Sequence, residues 1–277
     1  MQAQTIVITD LDGTLLDSDY SFKKAVPALE MLIRNNIPLI ICSSKTNSEI
    51  LHLRKMLKNS HPYITENGGG VFIPDDYFNF PLSTAGNDID KCGNYYAIRL
   101  GAKYAVLRDV LAELRAEGCP VRGFGDMSVK EVSMLTGLKE DAAKRAMLRD
   151  FDEPFVFKGS DSETAKMLKE IAAKGFNTTQ GEFFHIMGKS DKGRALSILA
   201  DLYKKQYGDI FTIALGDSPN DIEMLQLADH PVVVKKKDGT YNDRIINEVS
   251  ECIRADGIGP AGWNIEVMKV CSALSEK

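Results

Sequence analysis

The sequence predicts an α/β fold: a parallel sheet covered by helices on both faces, interrupted by an inserted second α/β unit. Three observations predict it. Strand-like runs near the start of the chain, Thr5–Thr9 (TIVIT) and Ile37–Cys42 (IPLIIC), are apolar without polar alternation, as strands buried on both faces are. Segments with apolar residues at helical spacing separate them. The same style returns from Asp191 onward. Between the two lies a stretch that opens on a polar, turn-rich run, Pro81–Gly93 (PLSTAGNDIDKCG), and carries strands and helices of its own.

In order, strand Thr5–Thr9 is followed by a helix over Lys23–Asn35, where Ala25, Val26, Leu29, Leu32 and Ile33 recur at helical spacing. Strand Ile37–Cys42, a helix over Ser48–Leu57 and a short strand Tyr63–Thr65 complete the first part. The middle is expected to hold strands Tyr95–Leu100, Val121–Phe124, Pro154–Phe157, Phe176–Thr179 and Phe183–Ile186. Its helices are expected over Tyr104–Glu117, Ser128–Arg149 and Ser162–Lys174. Helix Asp191–Tyr207, strand Ile210–Leu215 (IFTIAL), helix Asp221–Ala228 and strand Pro231–Val234 resume the first style. Residues 86–187 are therefore expected to form the insert, and residues 1–85 and 188–277 one discontinuous core.

The chain's 277 residues suffice for one large domain or two modest ones. With 44% apolar and 26% charged residues a sizeable core can form, and intrinsic disorder is excluded. A net charge of −5 argues against a broad nucleic-acid-binding surface. No apolar run approaches the roughly 20 residues of a membrane helix, and no signal-peptide pattern opens the chain. Five cysteines without CxxC spacing read as reduced thiols rather than as zinc ligands or a disulfide framework. A cytoplasmic protein is expected.

Chemistry-bearing residues gather where strands end. Asp10-Leu11-Asp12-Gly13 follows the first strand directly. Residues two apart in an extended chain point the same way. Both carboxylates then face one spot at the strand's C-terminal end, the edge where open α/β sheets bind ligands. Two acids so close need a cation between them or a raised pKa, and Mg²⁺ suits hard oxygen donors; the bland alternative is a solvated Asp-Gly turn. Gly216-Asp217-Ser218-Pro219-Asn220-Asp221 follows strand Ile210–Leu215 at the same edge. Asp217 can add a third carboxylate, although Asp, Ser and Asn are also ordinary helix caps. Ser43-Ser44-Lys45 reads first as an N-cap, but a hydroxyl and backbone N–H groups at a helix start also suit a phosphate. Lys192-Gly193 opens a helix, where the lysine is either a solvated charge or the counter-charge to a phosphoryl group.

In this order and on these elements, the four motifs resemble the haloacid-dehalogenase-like (HAD-like) hydrolase superfamily, over Thr5 to Asn67 and Asp191 to Val234. The resemblance implies a Rossmann-like parallel-sheet core with an inserted α/β cap domain of the Cof type (C2B). Cys42-Ser43-Ser44-Lys45-Thr46 stands where most Cof-type members have Thr-Gly-Arg. That run is accompanied by Glu66-Asn67-Gly68, Leu135-Thr136-Gly137-Leu138, Asp152-Glu153-Pro154 and Gly259-Pro260-Ala261-Gly262-Trp263. Together they are similar to the mannosyl-3-phosphoglycerate phosphatase family.

The resemblance implies a Mg²⁺-dependent phosphomonoester hydrolase acting on a glycosyl-3-phosphoglycerate. Asp10 would be the nucleophile that forms an aspartyl-phosphate, and Asp12 the general acid and then base. An Asp10 oxygen, the Asp12 backbone carbonyl and Asp217 would hold Mg²⁺. Ser43 and Lys192 would take phosphoryl oxygens, while Ser218, Asn220 and Asp221 would orient the metal's surroundings and Lys192. Ser44, Lys45, Asn67 and Gly68 from the core, with Arg149 from the insert, would bind substrate. A glycerate carboxylate calls for a cation, for which Arg149 leads and Lys189 and the Lys235-Lys236-Lys237 run are alternatives; each is also an ordinary surface charge. The expected partner is a small sugar phosphate, with no nucleic acid and no membrane. A broader sugar-phosphate phosphatase, a phosphomannomutase-like phosphomutase and a non-catalytic sugar-phosphate sensor compete with this reading; the complete set of acids and lysine argues against the sensor. His52, His61 and His185 have no metal-spaced partner and read as packing or surface residues, and Trp263 as packing of the C-terminal segment.

Overall fold

The computed structural model describes residues 3–83 and 88–275. The chain runs through β1 (Gln4–Thr9), α1 (Val26–Arg34), β2 (Leu39–Cys42), α2 (Asn47–Leu57), β3 (Tyr63–Thr65), β4 (Gly70–Pro74), β5 (Ile89–Cys92) and β6 (Tyr95–Arg99). A second unit follows: α3 (Tyr104–Ala116), β7 (Val121–Gly123), α4 (Val129–Thr136), α5 (Glu140–Ala146), β8 (Asp152–Phe157), α6 (Asp161–Ala173), β9 (Asn177–Gln180) and β10 (Phe184–Met187). The chain then returns through α7 (Lys192–Tyr207), β11 (Ile210–Gly216), α8 (Ile222–Gln226), β12 (His230–Lys235), α9 (Asp243–Glu248), β13 (Ile253–Ile258) and α10 (Pro260–Ser275).

The large sheet has nine strands in the order β13-β12-β11-β1-β2-β3-β4-β6-β5. It is parallel from β13 to β3, and antiparallel where β4, β6 and β5 join. Strand residues alternate between two cores, and this is why the strands read as unbroken apolar runs. Val7, Ile41 and Leu215 face α1, α2 and α10, whereas Ile8, Ile40 and Ala214 face α7, α8 and α9. Because β1 lies between β11 and β2, with its chain connections leaving on opposite sides, the loops after these strands diverge there and leave a crevice.

One expectation needs correction. The boundary expected between residues 85 and 86 lies outside the described residues. However, the strand assigned to the insert at Tyr95–Leu100 is β6, which pairs with β4 and belongs to the large sheet, as does its hairpin partner β5. The polar, turn-rich run on which the insert was expected to open is in part an edge strand. Ile89–Cys92 has two exposed positions flanked by half-buried ones, so little apolar residue is needed to place it. The second, four-stranded sheet, β7-β8-β10-β9, is antiparallel. Phe155 and Ile186 on one face pack on α3 and α6. Its other face meets α4 and α5 through Val156 and Phe183, and the rest of that face looks back at the large sheet's loops.

Candidate active site

The parallel register brings the ends of three strands together. Thr9, the last residue of β1, lies opposite Leu215 of β11 on one side and Ile41 of β2 on the other. Asp10, Gly216-Asp217 and Ser43 therefore emerge side by side. Lys192, the first residue of α7, reaches into this cluster with no solvent exposure. Its Nζ donates to Asp10 Oδ1 and to Asp221 Oδ1, both at 2.6 Å. The second oxygen of Asp221 accepts the backbone N–H groups of Asp217 and Ser218 at 3.0 Å. Asp221 is thus spent on shaping the loop and holding the lysine. Asp217 Oδ1 accepts from Thr14 at 3.0 Å.

Two glycines permit these approaches. Gly13 has φ +81°, and a Cβ there would fall 2.6 Å from Asp217 Oδ2, so a side chain would push the two acidic loops apart. At Gly68, with φ +88°, a Cβ would collide with the Asp191 backbone at the start of α7. Asp10 is also braced from behind. Trp263, fully buried in α10, donates from Nε1 to Thr9 Oγ1 at 2.9 Å, and that hydroxyl donates to the Asp10 carbonyl at 2.6 Å.

Electrostatically the cluster is short of positive charge. Asp10, Asp217 and Asp221 offer oxygens within 4.8 Å of one another, and only Lys192 balances them directly. Burial alone would lower the Lys192 pKa, but Asp10 and Asp221 overturn this and raise it, so the ammonium persists. Burial, against the pull of Lys192, pushes the Asp10 carboxyl well above its usual range, with Asp221 and Asp217 adding to the rise. Burial and Asp221 push Asp217 up to about 7. Carboxylates held this way fit a hard divalent cation. Asp10 Oδ2 and Asp217 Oδ2 have no hydrogen-bond partner among the described residues, and every donor is an oxygen.

Above this floor lies a cavity of about 720 Å³ between the large sheet's loops and the second unit. Asp10, Asp12, Asp217, Ser218, Asn220, Ser44, Lys45, Asn67 and Arg149 line it. Ser43, Lys192 and Asp221 are fully buried beside the strand ends rather than on the wall. Gly68 is not among the residues lining this cavity and packs against the Asp191 backbone at the start of α7. Lys189 and the Lys235–Lys237 run are off the wall as well, and Lys235 is paired with Asp256 at 2.8 Å. Lys45 meets Asp12 at 2.9 Å and Glu49 at 3.8 Å. Arg149 donates to the carbonyls of Ser44 and Ala146 at 2.8 Å and faces Asp152 at 3.5 Å.

Three residues at or just behind this wall have no functional role in the sequence reading. Glu66, fully buried at φ +47°, accepts the backbone N–H groups of Asp150, Phe151 and Asp152 at 2.7–3.1 Å, tying the core to the entry of β8. Burial pushes its carboxyl up to about 8, against Arg149 and those N–H donors. Asp152 accepts from Asn67 Nδ2 at 3.0 Å and pairs with His185 Nδ1 at 2.9 Å. His185, read from sequence as packing or surface, lines the cavity. In the sequence, Glu66-Asn67-Gly68 and the acidic run Asp152-Glu153-Pro154 were the traces of this group.

Among the described residues no helix is long and apolar enough to cross a membrane. A profile described as haloacid dehalogenase-like hydrolase matches residues 7–96 and 138–258. The chain is 45% identical over 266 residues to a glucosyl-3-phosphoglycerate/mannosyl-3-phosphoglycerate phosphatase of Methanococcoides burtonii, covering 95% of this chain and 96% of the relative. It is 39% identical to the protein of the same name from Persephonella marina, over 97% of this chain and 98% of that one. A mannosyl-3-phosphoglycerate phosphatase of Pyrococcus furiosus is 32% identical over 83% of this chain and 90% of its own length. Among solved structures, a haloacid dehalogenase-like hydrolase from B. subtilis superposes with a TM-score of 0.66 at 17% identity, over 95% of this chain and 98% of that one, a likeness of fold. With the profile spanning most of the chain and relatives matching it nearly end to end, the chain belongs to the haloacid dehalogenase-like hydrolases.

Proposed function

We propose that this chain is a phosphatase that releases phosphate from glucosyl- or mannosyl-3-phosphoglycerate, the substrates in the names of its relatives. The observation that carries the reading is the buried Asp10–Lys192–Asp221 clamp opening into a cavity large enough for a glycosylated acid. Lys192 holds one oxygen of Asp10 and leaves the other to attack phosphorus, forming an aspartyl-phosphate and expelling the glycerate alkoxide. Asp12, with its carboxyl 44% exposed at the cavity, would protonate that alkoxide and then take a proton from the water that cleaves the acyl phosphate. Ser43 would donate to a phosphoryl oxygen. Asp10, the Asp12 carbonyl and Asp217 would hold Mg²⁺, with Ser218, Asn220 and Asp221 fixing the loop around it. The cation, when bound, would offset repulsion between the attacking carboxylate and the phosphate dianion. The unit from Ala102 to Met187 would act as the cap that encloses the substrate and excludes water.

The test is phosphate release with Mg²⁺ or with chelator, from mannosyl- and glucosyl-3-phosphoglycerate, mannose 6-phosphate and sucrose 6-phosphate. The glycosyl phosphoglycerates are expected to be preferred and activity to vanish with chelator. No preference among the four sinks the substrate assignment, and undiminished chelated activity sinks the metal.

A further inference from the structure

We infer that His185 receives the carboxylate of the substrate's glycerate unit and that Asp152 positions it to do so. The inference rests on the glycosyl-3-phosphoglycerate reading above. The antiparallel register sets Pro154, His185 and Thr179 side by side across three strands. All three line the cavity, so the imidazole stands in the middle of a cross-strand row facing the substrate space. Its Nδ1 lies 2.9 and 3.0 Å from the two oxygens of Asp152, whose side chain is fully buried. Burial opposes the Asp152 charge, but His185, Arg149 and Asn67 together lower its pKa below the usual value. A carboxylate in that position fixes Nδ1 as a proton-bearing nitrogen, and a ring that also carries a proton on Nε2 offers a second N–H to an arriving carboxylate. Nε2 has no hydrogen-bond partner among the described residues and is left to the cavity.

The charges around the cavity point the same way. Six carboxylates line it: Asp10, Asp12, Asp17, Glu49, Glu182 and Asp217. The two wall cations already have partners. Lys45 is matched by Asp12 and Glu49, and Arg149 by Asp152 and two carbonyl oxygens. A ligand with a carboxylate beside its phosphate needs an open nitrogen donor here, and the second ring nitrogen of His185 has no partner among the described residues. Its place is also tied to the phosphoryl floor. Asp152 accepts from Asn67, and Asn67 accepts from Asn220 in the loop that carries Asp217, at 2.9 Å.

3-Phosphoglycerate and glycerol 3-phosphate share three carbons and a phosphate and differ in one carboxylate, which makes them a direct probe. Each is used as an inhibitor of p-nitrophenyl phosphate hydrolysis by the full chain with Mg²⁺, and the readout is the ratio of the two inhibition constants. A general loss of activity cancels in that ratio. The unsubstituted chain is expected to prefer 3-phosphoglycerate by about tenfold or more, the size of one charge-assisted hydrogen bond. His185→Asn, or His185→Gln if the first fails to fold, should bring the ratio close to one. Asp152→Asn should give an intermediate ratio. With the glycosylated substrate, His185→Asn should raise KM by more than it changes kcat. Equal constants in the unsubstituted chain, or a preference that survives the His185 substitution, overturns the inference. So does a loss confined to the glycosylated substrate, which would assign His185 to the sugar. Failure of the unsubstituted chain to hydrolyse glycosyl-3-phosphoglycerate would appear in a separate assay and would count against the functional reading instead.

Discussion

On the floor of the cavity, charged groups are matched by neighbours from adjacent strand ends: Lys192 between Asp10 and Asp221, and Asp221 holding the backbone of its own loop. On the wall, partners come from the other of the two units. Glu66 reaches segment 150–152, Arg149 reaches Ser44, and Asp152 links Asn67 to His185. The floor is buried and held by several hydrogen bonds to each group, so that displacing Lys192 would strand two buried carboxylates. The wall is a junction between two units, and its hydrogen bonds set how the cavity is closed and what it accepts. Chemistry and selectivity therefore sit in regions with different physical tolerances, and substitutions should tell them apart.

The largest effect should come from the floor. Asp10→Asn is expected to lower phosphate release by at least about 10³-fold, with circular dichroism showing the fold retained. Activity near the unsubstituted level would end the nucleophile assignment and blur the division. Lys192→Met should cost about 3–5 kcal/mol in a urea titration, because two buried carboxylates lose their cation. Added Mg²⁺ should recover part of that stability. A wall substitution should be milder. Glu66→Gln trades a carboxyl that titrates at about 8 for an amide on the same three backbone N–H groups, a loss of about 0.5–1.5 kcal/mol at neutral pH. It should speed hydrogen exchange of the amides at 150–152 while exchange in β1 and β11 stays slow. Equal acceleration in both places would mean that the two regions are not mechanically separate.

The smallest effect at neutral pH concerns His61, outside the cavity. Burial and then Arg54 lower its pKa from 6.5 to about 4, so the fold favours the neutral ring, which meets the Tyr77 hydroxyl at 2.7 Å. Across that interval the unfolded chain binds the proton and the folded one does not. Stability from this site is complete above pH 6.5 and is lost as pH falls toward 4. His61→Gln should flatten that part of the unfolding-midpoint profile and leave it unchanged above pH 7.

The reason that β5 and β6 were misplaced is instructive. Turn-rich polarity marks linkers and edge strands alike, and only the pairing of β5 with β6, and of β6 with β4, distinguishes them. Trp263 shows a second kind of gap. Its burial was expected, but its hydrogen bond to Thr9, 254 residues earlier and next to Asp10, was not. A hydrogen-bond partner that distant leaves no periodicity to read.

The sequence by itself determined the α/β class, the strand-end position of Asp10, Asp12, Ser43 and Asp217, and Lys192 at a helix start. These follow from short-range rules: apolar runs make buried strands, parallel strands end on one edge, and ligand groups follow those ends. Tertiary structure decided that Gly68 packs against the start of α7, that Arg149 and Lys45 are already paired, and that His185 faces the cavity with the buried Asp152 behind it. Those outcomes depend on strand register and on contacts between two sheets. A one-residue shift in register would turn His185 to the opposite face without changing the composition of its strand.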